Sequence, residues 1–169
     1  MRENFHLKKL SDNVLKCEDS LSVLHQEMIE HIKKIARTHP MQRTRINFHQ
    51  SDDSLVHEMI IAMTDATVVE PHRHLNKSES FHLMEGKVRI GFISEDEKIT
   101  KIIELCKGKI EYYRLNTPDY HIVVPISKMV VIHEVTNGPF VKGESSSNLK
   151  LSQDKIKVIR RTIKNWRIE

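Results

Sequence analysis

The sequence predicts an all-β sandwich or barrel with an amphipathic helix at each end. Three observations support this fold class. Between residues 41 and 141, short segments with alternating apolar residues are separated by turn signals about every ten residues. On either side of this region, apolar residues recur at intervals of three and four, as in helices. The length of 169 residues fits one domain that can bury a core.

The N-terminal helix is predicted to begin near Ser20 and to end before Pro40. Its apolar stripe consists of Leu21, Leu24, Met28, Ile32 and Ile35. Asp19 or Ser20 could cap the first turn, and Pro40 disfavours a helical conformation at His39. Residues 1–19 predict no definite element, so residues 1–40 are expected to form a helical extension.

The strands of the central region follow from alternation with a period of two. Val88, Ile90 and Phe92 alternate with polar or small residues, and residues 129–135 form a β-branched run. The Asn-Gly-Pro segment at residues 137–139 should end the last strand. We therefore assign residues 41–141 to the β domain.

Residues 142–169 are predicted to be a linker followed by a basic amphipathic helix. Residues 143–148 have a linker-like composition, and Ser152 could cap a helix with the stripe Ile156, Ile159, Ile163 and Trp166. Residues 150–169 hold seven Lys and Arg against two acids, so the formal charge of +4 belongs to this tail. The stripe should pack on the barrel or on a partner subunit. The charges are simply solvated or contact a polyanion or a membrane surface, and the lack of interleaved aromatic residues argues against nucleic acid as a partner.

Other patterns concern the compartment and the class of protein. Cys17 and Cys106 are too few for a disulfide framework, and the N-terminus lacks an apolar signal-peptide region. No apolar run is long enough to span a bilayer, so we expect a cytoplasmic protein without a membrane span. The nucleophile elbow, the P-loop and the dinucleotide-binding glycine pattern are all missing from the sequence.

The segment from His72 to Gly86 carries the pattern H-x-H-x4-E-x6-G. Two histidines at alternate positions of an extended segment, His72 and His74, point to one face, and Glu79 can return to that face after a short bend. Imidazole and carboxylate groups together suit a divalent transition metal. His121 is the best candidate for a fourth ligand. The alternative that these are vestigial or satisfied core histidines stays open.

This pattern resembles the first motif of the cupin family, whose ligand positions match His72, His74 and Glu79. The second cupin motif is reduced to His121, because Asn116 and Pro118 replace its usual proline and glycine. Flanking segments resemble the small WbuC-type cupin metalloproteins, so that the similarity covers residues 20–141. The segments that carry it are 43–49, 60–63, 69–74 and 133–140.

The resemblance implies a cupin jelly roll that holds one divalent metal, with Fe, Mn, Zn, Ni and Co left open. The WbuC-type proteins are associated with bacterial surface-polysaccharide gene clusters. This association implies a small polar metabolite as the substrate, such as a sugar or sugar-nucleotide intermediate of O-antigen or capsule synthesis. The reaction would be a Lewis-acid isomerisation or epimerisation, or an oxygenase reaction if the metal is iron. The alternative is a non-catalytic, metal-dependent binding or regulatory module. Cupins commonly pair through their sheets, so we expect a homodimer.

Three further residues are candidates for a catalytic role because of their position along the chain. Arg45 and His49 precede the first long strand and could contact an anion or transfer a proton at the pocket mouth. They could equally belong to a polar strand against the N-terminal helix. Tyr112 lies close to the proposed fourth ligand and could contact a sugar ring, or it could be an ordinary sandwich residue.

Alternation along the strands also predicts which of His133, Glu134 and His82 can face the pocket. His133 and Glu134 point to opposite faces, so at most one of them faces the pocket, and Glu134 matches the resembling family. Glu134 is therefore a fourth catalytic candidate, although a surface role is open. His82 alternates away from Glu79 and is excluded from the site.

Overall fold

The structure is a computed structural model that describes residues 6–141 and 143–167. In chain order its elements are β1 (Leu7–Ser11), β2 (Val14–Cys17), α1 (Gln26–Thr38), β3 (Arg43–Asn47), β4 (Val56–Thr64), β5 (His72–His74), β6 (Glu79–Glu85), β7 (Lys87–Ile93), β8 (Ile99–Cys106), β9 (Tyr112–Leu115), β10 (Tyr120–Pro125), β11 (Met129–Asn137), β12 (Ser146–Asn148) and α2 (Gln153–Lys164).

The strands form two sheets that pack as a sandwich. The first sheet has seven strands in the order β1-β2-β3-β4-β11-β6-β9, and the second has five in the order β12-β5-β10-β7-β8. The long strands β4, β11 and β6 are antiparallel neighbours, as are β5, β10 and β7. The predicted all-β fold with two helices is confirmed.

The main core lies between the sheets. Val88 and Ile90 of β7 are fully buried, as their alternation predicted. They pack with residues of both sheets: Met63, Phe81, Leu83, Leu105, Tyr113, Leu115, Val123, Val130 and Ile132. This apolar layer packs the two sheets against each other, and the cavity described below lies next to it.

Helix α1 begins at Gln26, six positions later than the sequence predicted, and ends at Thr38 just before Pro40. Its N-cap is His25, whereas the predicted start near Ser20 lies in a bend where Ser22 Oγ donates to the carbonyl of Asp19 at 3.2 Å. The chain must first turn away from β2 before it can cross the outer face of the first sheet. The helix then buries Met28, Ile29, Ile32 and Ala36 against that face.

Two short strands precede this helix, where the sequence predicted no definite element. β1 and β2 pair antiparallel with each other, and β2 pairs in parallel with β3. They extend the first sheet at its edge, so the described N-terminal residues are more than a helical extension.

Helix α2 packs on the second sheet of its own chain. Ser152 caps it as predicted, since its side chain accepts a hydrogen bond from the amide of Lys155. Ile156, Ile159 and Ile163 are buried, while Trp166 follows the helix and is half exposed. A Cβ on Gly91 would lie 2.4 Å from Ile163 Cδ1, so the glycine allows the helix to approach the sheet closely.

The end of this helix is held by an arginine of the sheet. Arg89 Nη1 donates to the carbonyls of Ile163 and Lys164 at 2.7 and 3.0 Å. No helix in the described part of the chain is long and apolar enough to cross a membrane.

Candidate metal centre

The two sheets contribute different members of the predicted ligand set. His72 and His74 lie on β5, and His121 on the adjacent β10 is the direct pairing partner of His72. Glu79 opens β6 in the opposite sheet. Asn76, with φ of +56°, bends the connection so that the chain crosses from one sheet to the other. One ligand atom from each of the four residues lies within 4.8 Å of the others.

Backbone carbonyls orient two of the imidazoles. Nδ1 of His72 lies 2.9 Å from the carbonyl oxygen of Glu70, and Nδ1 of His121 lies 3.0 Å from that of Asp119. Each Nδ1 therefore donates its proton to the backbone and leaves Nε2 with a free lone pair. His121 is fully buried, and its Nε2 has no hydrogen-bond partner among the described residues. A metal ion would satisfy this atom, so the residues fit a bound metal.

Glu79 lies at the centre of the cluster. It is 3% exposed, its Oε2 is 3.0 Å from His74 Nε2, and its Oε1 accepts a 2.7 Å hydrogen bond from the Tyr113 hydroxyl. Burial raises the pKa of Glu79, but the nearby imidazoles of His121 and His74 lower it more, so the net direction is downward. The carboxylate is therefore ionised at neutral pH, as a metal ligand must be.

The pKa values of His72 and His74 shift in opposite directions. Burial and the neighbouring His121 lower the pKa of His72 to about 4, so this ring is neutral near pH 7. For His74, burial lowers the pKa, but the hydrogen bond and the charge of Glu79 raise it by more, so the net shift is upward. A cation that replaces the proton between His74 and Glu79 would keep the charge of the carboxylate compensated.

A cavity of about 690 Å³ opens beside this cluster. Its wall includes Arg43 and Arg45 from β3 and Glu134 from β11, together with apolar core residues such as Ile61 and Phe81. Burial and the charge of Glu79 raise the pKa of Glu134 to about 8, although the two arginines oppose this shift. Of the four catalytic candidates, the structure brings Arg45 and Glu134 together with the ligand set.

The other two catalytic candidates lie elsewhere. His49 stacks on His57 with a centroid distance of 4.1 Å, and it does not line the cavity. Tyr112 is exposed on the outer face of the first sheet, where it pairs with His82 and donates to Ser80 Oγ. These two positions correct the expectation that they border the pocket.

The residue that reaches the site from this strand is Tyr113, one position further on. Tyr113 pairs with Phe81 across β9 and β6, and Phe81 shares the inner face with Glu79. No local signal in the sequence could have found it, because the face of Tyr112 is set by its pairing with the exposed His82 across β9 and β6. His82 is exposed, as alternation predicted.

The segment predicted as a linker also contributes to the site. Residues 146–148 form β12, which pairs with β5 and places Ser146 opposite His74. Ser146 and Asn148 line the cavity. Composition alone could not identify this strand, because serine and asparagine are poor strand formers and its partner is distant in sequence.

Comparisons with known proteins bear on the fold. A family model described as a domain of unknown function (DUF6016) matches residues 24–105, and a search of curated proteins found no match. CapF with the inhibitor 3-isopropenyl-tropolone superposes with a TM-score of 0.52 at 19% identity, covering 63% of this chain and 31% of CapF. The capsular polysaccharide assembling protein CapF from Staphylococcus aureus superposes with a TM-score of 0.52 at 19% identity, covering 63% of this chain and 30% of that chain. A protein from Shewanella oneidensis superposes with a TM-score of 0.51 at 11% identity, covering 71% of this chain and 80% of that chain.

Identities at this level show the fold alone, and the chain spans less than a third of CapF. The narrower resemblance to WbuC-type proteins stays a prediction. The two-sheet topology, the arrangement of His72, His74, Glu79 and His121, and these structural similarities together show that this chain has a cupin fold.

Proposed function

We propose that this protein is a metal-dependent cupin enzyme that isomerises or epimerises a small polar metabolite. The proposed substrate class is a sugar or sugar nucleotide of surface-polysaccharide biosynthesis. One observation carries the proposal: a cluster that could hold a metal shares its cavity with Glu134, a carboxyl group suited to proton transfer.

The metal would be held by His72, His74, Glu79 and His121. When bound there, a divalent cation would supply Lewis acidity toward a carbonyl or hydroxyl oxygen of the substrate. This ligand set does not select among Fe, Mn, Zn, Ni and Co, and with iron bound oxygenase chemistry would also become possible.

Glu134 would move the proton. An ordinary carboxyl group is fully ionised at pH 7, but burial and Glu79 raise the pKa of Glu134 to about 8. In the metal-free protein both protonation states are then accessible near neutral pH, and a metal bound to Glu79 would compensate part of the charge that causes this shift. Glu134 would take a proton from a carbon next to a carbonyl group and return it to the neighbouring atom, which isomerises the substrate; epimerisation would require a second proton donor on the opposite face.

Two observations support the substrate class. A cavity of about 690 Å³ is within the usual range for small-molecule sites. The name of CapF, a structural neighbour, describes it as a capsular polysaccharide assembling protein.

The second candidate function is a metal-dependent binding or regulatory module without turnover. It requires the same ligand set but no group for proton transfer. The position of Glu134 on the cavity wall favours the enzyme.

The test is to purify the protein anaerobically, measure its metal content and incubate it with a panel of nucleotide sugars in D₂O. We expect metal-loaded protein, and not chelator-stripped protein, to introduce deuterium at a sugar carbon. Ligand binding without exchange would favour the binding module, and protein that binds no metal under any condition would overturn both functions. Homodimerisation stays a prediction, which sedimentation of the full chain would test.

A further inference from the structure

We infer that Arg43 and Arg45 form a phosphoryl-binding subsite on the wall of the metal cavity, and that the natural ligand carries a phosphate group. This inference rests on the proposed function, because it takes the same cavity as the substrate site and names the class of its ligand.

Strand register places both arginines on the face of β3 that borders the cavity, where Arg43 is half-buried and Arg45 is exposed. Arg43 lies opposite Met63 and Arg45 opposite Ile61 in the β3–β4 pair, and both partners contact the core between the sheets. Thr44 occupies the intervening position, on the face that packs toward α1. Both arginines consequently line the cavity that His72, His74 and Glu79 border.

The two positive charges have no close partner. Within residues 6–141 and 143–167, neither Arg43 nor Arg45 forms an ion pair or a hydrogen bond. Arg89, Arg114 and Arg160 all donate hydrogen bonds to protein acceptors. Burial and the neighbouring Arg45 lower the pKa of the Arg43 guanidinium, and Glu134 only partly offsets this effect. An anion bound between the half-buried Arg43 and the exposed Arg45 would relieve the repulsion between their charges.

The carboxylates of the cavity do not neutralise this pair. At the rim, Glu70 accepts hydrogen bonds from Asn148 Nδ2 and Gln153 Nε2. Glu79 belongs to the proposed ligand set, and Glu134 interacts electrostatically with both arginines but forms no ion pair with either among the described residues. The arginines thus remain available to a ligand.

The number of arginines favours a phosphoryl group over a carboxylate. One guanidinium satisfies a carboxylate through two parallel hydrogen bonds. A phosphate has three peripheral oxygens and a charge between −1.5 and −2, roughly, at pH 7, so it can engage both guanidinium groups. A phosphate held here would leave the rest of the ligand to extend through the cavity toward His72 and Glu134.

The experiment measures binding of inorganic phosphate to chelator-stripped protein by calorimetry, so that phosphate cannot bind a metal. Arg43→Gln combined with Arg45→Gln should raise the Kd of phosphate by about tenfold or more, because two charge-assisted interactions are lost. The matched control is Arg161→Gln, an exposed arginine of the basic helix α2, which should change the Kd by less than about twofold. The double lysine variant should retain part of the affinity, which separates lost charge from lost structure.

Several results would overturn the inference. These are a wild-type protein that binds no phosphate, a double glutamine variant with unchanged affinity, or an Arg161→Gln variant with the same loss, which would place the anion on α2. Malonate binding that equals phosphate binding and shows the same arginine dependence would overturn the choice of a phosphoryl group. Arginine-dependent phosphate binding in a protein without turnover would instead contradict the proposed enzyme and leave the subsite intact.

Discussion

The inner and outer faces of the first sheet carry the same types of residue, but only the inner face takes part in a candidate metal site. On the outer face, His82 and His133 are direct pairing partners across β6 and β11, and His133 Nε2 lies 3.2 Å from Glu58 Oε1. Among the described residues, only the inner set brings four ligand atoms within 4.8 Å.

The difference shows that convergence requires two sheets. The three outer residues project side by side from one surface, so their side chains run roughly parallel. The inner set combines Glu79 of one sheet with three histidines of the other, and these side chains meet in the space between. Burial and backbone hydrogen bonds then hold the inner rings in place, whereas the His133 and Glu58 side chains are 32% and 49% exposed.

The largest expected effect comes from replacing one histidine on each face by alanine in separate variants. His74→Ala should weaken metal binding by more than about 100-fold, because even a change around the ligands costs 10–100-fold. His82→Ala should leave the metal content close to that of the wild type, since this ring is exposed on the other face. Elemental analysis of both purified variants tests the comparison. Equal losses would mean that the strand faces are reversed, and full metal in His74→Ala would mean that the ligand set is wrong.

Two glutamates provide the second comparison. Glu134→Gln should reduce turnover by about 10²–10⁴-fold, the usual contribution of a general acid or base, and should retain the metal. Glu58→Gln on the outer face should have nearly wild-type turnover. Steady-state rates on a substrate found with the nucleotide-sugar panel would measure this. A fully active Glu134→Gln variant would remove proton transfer by this residue from the mechanism.

Adjacent tyrosines on opposite faces provide a smaller contrast. Tyr113→Phe removes the 2.7 Å hydrogen bond to Glu79 and should weaken metal binding by about tenfold. Tyr112→Phe removes only a contact to Ser80 and should have no effect on the metal. Competition with a chelator of known affinity distinguishes the two. If Tyr112→Phe has the larger effect, the phase of β9 is incorrect.

The smallest effect concerns pH. The pKa of Glu134 is about 8 in the folded protein, above its ordinary value of 4.5, so between these values the folded state binds more protons than the unfolded state. The free energy of unfolding of the metal-free protein should therefore fall as pH rises toward 8. His72 has the opposite effect below pH 6.5, because its pKa is lowered to about 4, so the useful range is pH 6.5 to 8. The raised pKa of His74 adds a decrease of the same sign in this range, so the contribution of Glu134 is read from the difference between variants.

Urea unfolding across this range should show a smaller decrease for Glu134→Gln than for the wild type, while Glu58→Gln should follow the wild type. The effect is modest because Glu134 is only half-buried and solvent screens its charge. An identical pH dependence in wild type and Glu134→Gln would show that this carboxyl group has an ordinary pKa.

Parts of the site that depend on local spacing were predictable. His72 and His74 share a face because side chains alternate along a strand, and this rule also separated His82 from Glu79 and Glu134 from His133. The caps of α2 and the end of α1 were equally local, since Ser152 and Pro40 act within one turn of the helix.

Features that depend on distant partners were not predictable. The start of α1 depends on where the chain leaves β2, and β12 exists because Ser146 pairs with His74. The choice between Tyr112 and Tyr113 required the register of β9 against β6.

The sequence by itself determined which residues can bind a metal, on which strand face most of them lie, and where α1 ends and α2 begins. Alternation, capping and ligand chemistry act over a few residues, so they can be predicted from short segments of the sequence. Only the tertiary structure decided that His121 lies beside His72, that Arg43 and Arg45 share a cavity with Glu134, and that α2 covers its own barrel. These arrangements depend on sheet pairing and packing between segments far apart in the chain, which local spacing does not encode.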